Sequence, residues 1–161
     1  MPITDKVVKG VEVTYEGVFD LHDFLDSLKK WFKSKGYDVT EKLYESKAKA
    51  TLKSIKIKWE CDRKPTDYDK YIIKLGIDCS DLNEGEVDKV KVVEGKVKVS
   101  VEAEHEKDYD EKWRGKPTLN FFRAIYDKFV IEEKENAIAK NLKKDTDSLV
   151  SEVKNYFNIK E

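Results

Sequence analysis

Apolar and polar residues alternate one by one along several stretches of this chain. The alternation is clearest over residues 55–61 and 97–105, and it also runs through residues 11–19 and 71–79. Because successive side chains of a strand point to opposite faces, each stretch predicts a β-strand with one apolar face. The connections between these strands are short enough for an antiparallel meander. A sheet with one apolar face needs a cover, so the alternation also demands helices.

Two stretches have the helical period that such a cover requires. Asp20 stands where an N-cap should, apolar residues follow at helical spacing, and Gly36 ends the stretch as a left-handed cap residue would. The second helical stretch runs from Thr118 to Phe157. Unbroken, it would span about 60 Å at 1.5 Å per residue, so we expect a break near residues 131–136 or 143–147. It opens with a dense apolar patch, which consists of Leu119, Phe121, Phe122, Ile125, Tyr126, Phe129 and Val130.

These elements predict the order β-α-β-β-β-β-β-α within a single α+β domain that covers residues 1–161. We expect a curved, mostly antiparallel sheet of five to six strands, covered by the long C-terminal helix. Residues 37–49 are expected to form a strand at the edge of the sheet. Their lysines would discourage pairing with another chain there. Ser80–Gly85 is expected to be an acidic loop, and residues 87–93 and 97–103 a hairpin that turns at Glu94–Gly95.

The composition excludes some classes of protein. The chain has 32 Lys and Arg against 33 Asp and Glu, a formal net charge of -1, so no global attraction to nucleic acid is expected. Its Lys- and Glu-rich composition without Gln fits either a thermophile or a genomic bias. Cys61 and Cys79 each end an apolar alternation, which favours buried thiols in a reducing cytosol over a disulfide. We expect a cytoplasmic protein without signal peptide or transmembrane segment.

The two histidines, His22 and His105, are candidate site residues. His22 lies between Asp20 and Asp23 in the first turn of the first helix, where a weak metal site competes with an ordinary solvated turn. His105 falls on the inward phase of its strand, where it is either a general base at a pocket mouth or a histidine at the rim of the core. The ordinary interpretation is favoured for both, and neither has Cys or His neighbours at zinc spacing.

Charged clusters were weighed in the same way. Five acidic residues around the expected loop offer oxygens for a cation, but their spacing does not match an EF-hand and favours a solvated loop. These residues are Asp78, Asp81, Glu84, Glu86 and Asp88. Lys53, Lys56 and Lys58 flank Trp59 as on a nucleic-acid-binding sheet, but the indole is out of phase with Lys56 and Lys58, which favours a solvated face. No catalytic motif, metal site or cofactor fingerprint is recognised, so an enzyme is the less favoured class.

The chain resembles two groups of proteins. Its order of elements resembles the helix-grip plan of START-like proteins, which implies an apolar cavity between sheet and long helix. Nearly the whole chain is similar to a family of small archaeal proteins of unassigned function, which implies no activity. Three stretches carry this second resemblance: VEVTYEGVFDLHDFLDSLKKWFKSKGYDV, IKIKWECDRKPTDYDKYIIKL and WRGKPTLNFFRAIYDKFV.

The aromatic residues give the functional hypothesis. We expect a non-enzymatic binding module that holds a small apolar or amphipathic ligand between the sheet and the long helix. The candidate lining residues are Trp59, Tyr71, Phe122 and Tyr126. The alternative is a homodimer or other protein–protein contact through the apolar face of the C-terminal helix. No cofactor, metal or nucleic-acid partner is expected.

Overall fold

The computed structural model describes residues 3–107 and 132–159, in which five strands and two helices follow one another. The strands are β1 (Ile3–Phe19), β2 (Asp38–Lys49), β3 (Leu52–Arg63), β4 (Asp69–Val87) and β5 (Val90–Lys107). The helices are α1 (Leu21–Ser34), between β1 and β2, and α2 (Glu132–Tyr156), after β5. The fold is therefore α+β.

All strands belong to one open antiparallel sheet with the order β1-β5-β4-β3-β2. Strands β2, β3, β4 and β5 form a meander. Strand β1 forms the other edge of the sheet and pairs with β5 from Ile3↔Lys107 to Phe19↔Val93. As predicted, β2 is an edge strand, and nearly all of its side chains are exposed.

One face of the sheet is apolar and is packed against the helices. The predicted alternation of β5 is confirmed, because Val97, Val99 and Val101 are at most 2% exposed while Lys98 is exposed. Helix α2 lies against β1 and β5, and α1 lies beside β2. Three α2 residues, Leu142, Leu149 and Val153, are 0% exposed. The apolar face therefore forms the core, as the alternation requires.

The predicted loop and hairpin turn between residues 80 and 95 were wrong. Strand β4 continues through Ser80–Gly85 to Val87, and the chain turns at Asp88 and Lys89. Glu94 and Gly95 lie inside β5, which removes the sixth strand. Gly95 lies opposite a bulge in β4 and not in a turn. A Cβ at Gly95 would lie 2.8 Å from the Ser80 carbonyl oxygen and 2.9 Å from that of Asp81. The glycine thus permits a close backbone approach.

Helix ends follow the local signals more closely. The Asp20 carboxylate accepts a hydrogen bond from the Asp23 backbone N–H at 3.1 Å, which confirms the N-cap. Gly36 has φ +86°, and the Tyr37 N–H donates to the Phe32 carbonyl at 2.8 Å, as at a left-handed helix end. Helix α2 runs through Lys143–Asp147 without the break expected there. The apolar patch from Leu119 to Val130 lies outside the described residues.

Candidate functional site

A groove of about 700 Å³ opens at the end of the sheet where α1 begins. Its residues come from the start of α1, from β2 and β3, and from the distal parts of β4 and β5. Six apolar residues contribute to the lining: Leu21, Tyr44, Ile55, Val90, Val92 and Val93. The polar lining consists of Asp20, His22, Lys53, Glu84, Glu86 and Lys91, with Gly85 between the two glutamates.

Two of the apolar lining residues stand largely in water. Tyr44 is 53% exposed and Val90 is 47% exposed, whereas Ile55 is only 5% exposed. Apolar surface left in water carries an unfavourable hydration free energy, which a bound apolar group would remove. Lys53 donates to Glu84 at 3.2 Å across this region, so opposite charges stand beside the apolar lining. The groove therefore combines apolar surface with polar groups of both signs.

The residues around His22, considered above as a weak metal site, do not form a metal-binding cluster. Within residues 3–107 and 132–159, no group of three or more His, Cys, Asp or Glu side chains could hold a metal ion. His22 is exposed at the groove, Asp20 caps α1, and Asp23 accepts a hydrogen bond from the Tyr156 hydroxyl at 2.8 Å. The two carboxylates are thus occupied in positioning α1 and α2.

His105, the other weighed histidine, belongs to a buried polar cluster. Its Nε2 lies 2.6 Å from Asp69 Oδ1, and the two side chains are 2% and 4% exposed. When Asp69 is ionised its carboxylate can only accept, and Nε2 is then the donor of this hydrogen bond. The second carboxylate oxygen of Asp69 accepts from the Thr66 hydroxyl at 2.7 Å. Thr66 Oγ1 in turn accepts from the backbone N–H groups of Tyr68 and Asp69, at 3.1 and 2.9 Å.

This cluster has the parts of an acid–base pair, but both of its side chains are almost completely buried. Neither Asp69 nor His105 borders the groove, and both lie in the core. A general base must come within about 2.6–3.2 Å of the proton that it removes. The geometry therefore favours the rim-of-core interpretation of His105 over the general base, with Asp69 satisfying its buried N–H.

Trp59 and Tyr71, the two candidate lining residues within the described ranges, have contacts to different helices. Trp59 is 2% exposed, its Nε1 donates to Glu41 at 3.2 Å, and the Lys29 amino group of α1 lies 5.5 Å from its ring. Tyr71 is also 2% exposed, and its hydroxyl donates to the Ile138 carbonyl of α2 at 2.6 Å. Trp59 therefore lies near α1 and Tyr71 near α2. Phe122 and Tyr126 lie outside the described residues.

The groove is formed largely by residues that the sequence analysis did not single out for binding. Tyr44 and Val90 were interpreted as strand residues, and Leu21 as part of the apolar stripe of α1. The available signal was the apolar run Val90, Val92 and Val93 next to the charged segment of β4. This apolar run lies opposite α1 because β4 and β5 extend as far as the turn at Asp88 and Lys89. The sequence analysis placed the turn at Glu94–Gly95 instead.

A second depression, of about 610 Å³, lies around Gly76. Trp59 and Leu75 border it, but most of its lining is charged. The charged residues are Lys9, Lys42, Lys58 and Lys74 together with Glu12, Glu60 and Glu102. Among the described residues, four of them have ion-pair partners: Lys42 with Glu60 at 3.5 Å, Lys74 with Glu104 at 3.3 Å and Glu12 with Lys98 at 3.4 Å. Its apolar side chains, Trp59 and Leu75, are each only 2% exposed, whereas Tyr44 and Val90 of the groove at α1 present apolar side chains to solvent.

Comparison with known proteins adds no family assignment, since neither the protein-family models nor the curated proteins gave a match to this chain. Of the helices that the structure describes, none combines the length and the apolar character needed to cross a membrane.

Proposed function

We propose that this protein is a non-enzymatic binding module that holds a small amphipathic ligand between the sheet and a helix. The supporting observation is the groove at α1, whose volume of about 700 Å³ falls in the roughly 300–1,000 Å³ range of small-molecule sites. The exposed sides of Tyr44 and Val90 would supply apolar contact. Lys53, Lys91 and His22 would pair with an anionic or hydrogen-bonding head group.

The proposed position differs from the one expected between the sheet and the long helix. Along the described part of α2, Leu142, Leu149 and Val153 are 0% exposed, so these positions are already filled by contacts within the chain. The start of α1 instead leaves space against β3 and the distal β4–β5 hairpin. The ligand is therefore assigned to α1 in this proposal.

The alternative, a protein–protein or homo-oligomer contact through the C-terminal helix, depends on residues 119–130. These residues lie outside the described part of the chain, and the apolar residues of α2 that are described, such as Leu142 and Val153, pack inside the core. This alternative stays a prediction.

The groove can be tested with 8-anilinonaphthalene-1-sulfonate, a fluorescent probe with an apolar body and an anionic head. We expect saturable binding, with NMR shifts of the methyl groups of Leu21, Ile55 and Val93. Tyr44→Ser and Val90→Ser should each weaken the affinity at least fivefold, because each removes apolar contact area.

Val18→Ser is the matched control, since Val18 is 50% exposed but does not line the groove. It should leave the affinity unchanged. Equal loss of affinity in all three variants, or methyl shifts that map to other parts of the core, would overturn the proposal.

A further inference from the structure

The hairpin of β4 and β5 extends beyond the rest of the sheet on one side. The last β3–β4 pair is Lys53↔Leu82, whereas β4 and β5 stay paired from Asn83↔Glu94 to Val87↔Val90. We call residues 83–94 the arm. In the described ranges, no strand pairs with the β3 side of Asn83–Val87. Within the part of the chain that the structure describes, this side is therefore an open strand edge.

The turn of the arm fixes which backbone groups face that edge. Asp88 and Lys89 have φ values of +51° and +68°, the signature of a two-residue type I′ turn. In such a hairpin the flanking pair, Val87↔Val90, exchanges both hydrogen bonds, and the pairs then alternate. Glu84 and Glu86 fall in the non-bonded pairs. Their N–H and C=O groups consequently point outward, toward the position of a missing strand.

The other two edges of the sheet carry features that discourage strand addition. β2 has a register shift between Glu41 and Leu43 and three lysines, and β1 has register shifts on both sides of Val8. Lysines and bulges are the means by which proteins blunt such edges. Between Asn83 and Val87, β4 has neither a register shift nor a lysine or proline.

Gly85, at the centre of this edge, is not demanded by the fold. Its φ lies outside the left-handed range, and a Cβ at this position would meet nothing within 4 Å. Glycine inside a strand weakens the strand and often marks a place where another backbone approaches closely. The flanking Val87 and Val90 are 55% and 47% exposed, which leaves apolar surface beside the open edge.

From these observations we infer that the Asn83–Val87 edge receives an extended peptide strand of a partner protein, with basic side chains at alternate positions. The arm contains four acidic and two basic residues, a net charge of −2. Glu84 and Glu86 lie on one face of the strand, two residues apart. A partner strand with Lys or Arg at positions i and i+2 places opposite charges beside both glutamates, and at Glu84 it joins Lys53, which lies 3.2 Å away.

A second copy of this chain fits the edge poorly. Antiparallel pairing of two copies about Gly85 places Glu84 of one copy opposite Glu86 of the other, and like charges directly opposite destabilise a strand pair. The inference depends on the backbone edge of the arm and not on a ligand in the groove.

The test uses the full chain, labelled with ¹⁵N, and a capped eight-residue peptide of alternating lysine and threonine. At saturation, the amide hydrogens of Glu84 and Glu86 should exchange with solvent at least tenfold more slowly. A peptide of alternating glutamate and threonine should bind at least tenfold more weakly. Unchanged exchange at millimolar peptide, equal binding of both peptides, or protection along β1 or β2 would overturn the inference.

Two variants separate the backbone contribution from the charge. Glu86→Pro removes an N–H that faces the edge and no hydrogen bond of the arm, so it should abolish protection at the edge. Glu86→Lys leaves the backbone unchanged and should shift the preference toward the glutamate peptide. If Glu86→Pro disturbs the arm itself, the charge-reversed variant decides: an unaltered preference would contradict the inference.

The two proposals can fail separately. Tyr44→Ser should weaken binding of the fluorescent probe to the groove and leave the lysine peptide unaffected. Because Glu86 also lines the groove, Tyr44→Ser is the variant that separates the two proposals. Loss of peptide binding in Tyr44→Ser would show that the peptide occupies the groove and not the strand edge.

Discussion

His105 Nε2 lies 2.6 Å from Asp69 Oδ1, and this contact connects β5 to β4 inside the core. With at most 4% of either side chain exposed, water cannot replace a partner that is lost. The pair therefore belongs to the structural core of the protein, and its removal should be measurable as a loss of stability.

We expect Asp69→Ala to lower the free energy of unfolding by about 3 kcal/mol, because it leaves the His105 N–H buried without its carboxylate. Urea denaturation followed by circular dichroism measures this change. Asp78→Ala is the control, since Asp78 is an exposed residue of the same strand and should change stability by less than about 0.5 kcal/mol. Similar losses in both variants would contradict the structural role of the pair.

Two glycines should respond oppositely to alanine. At Gly95 a Cβ would lie 2.8 Å from the Ser80 carbonyl oxygen, so Gly95→Ala should destabilise the protein by about 1–3 kcal/mol. At Gly76 the nearest atom is Ser100 Cβ at 3.8 Å, an ordinary contact. Gly76→Ala should be neutral or stabilise by up to about 1 kcal/mol, because alanine restricts the unfolded chain. Thermal unfolding of both variants checks this, and a destabilised Gly76→Ala would be the unexpected result.

Stability should fall in alkaline solution because the two thiols are buried. Burial, reinforced by neighbouring carboxylates, raises the pKa of Cys61 and of Cys79 from 9.0 to about 12. The folded state thus holds these protons more tightly than the unfolded state. Their contribution to stability is complete below pH 9 and is lost as the pH rises toward 12. Between these limits the free energy of unfolding should fall by about 1.4 kcal/mol per pH unit for each thiol.

Urea titrations at intervals from pH 7 to pH 10 would measure this slope. Replacing both cysteines with alanine should flatten it between pH 9 and 10, whatever the variant loses in absolute stability. Above pH 10 the tyrosines add to the fall, because burial and the hydrogen bond to Asp145 raise the pKa of Tyr37. An equally steep slope in the double variant below pH 10 would exclude the thiols as its cause.

Tyr37 should help to hold α2 in place. Its hydroxyl donates to the Asp145 carboxylate of α2 at 2.8 Å, and Arg63 of β3 lies 3.6 Å from the same oxygen. Tyr37→Phe should cost about 1–2 kcal/mol, the usual size for a hydrogen bond to a charged group. Tyr44→Phe removes an exposed hydroxyl and should change stability by less than about 0.5 kcal/mol. Chemical denaturation of the two variants compares them, and equal losses would refute the role of the Tyr37 hydroxyl.

The sequence predicted the helices and strands well where a local pattern had a single structural interpretation. Asp20 before a helical apolar pattern indicates an N-cap, and the alternation from Val97 to His105 indicates a strand with one buried face. Gly95 was misread because glycine also serves close backbone approach, which depends on the bulge opposite it. The acidic segment Ser80–Gly85 was predicted to be a loop, but it continues strand β4.

The candidate site was less predictable, because it depends on how two helices share one face of the sheet. The alternation correctly placed Trp59 and Tyr71 on the inner face. It contains no information on which helix covers which residue, and the two turned out to lie near different helices. The inward phase of His105 predicted a buried imidazole that needs a partner. Asp69 was not identified as that partner because it precedes the recognised strand at Tyr71.

The pairing of β1 with β5 also has a consequence for how the protein is made. Among the described strands, β1 is synthesised first and pairs only with β5, which is synthesised last, as in the pair Ile3↔Lys107. The β4–β5 hairpin, in contrast, closes through a two-residue turn and needs no distant partner. During synthesis β1 therefore remains unpaired until β5, which ends at Lys107, has emerged from the ribosome. A nascent chain halted before β5 would expose this strand to chaperones, and release of β5 would be the event that ends that exposure.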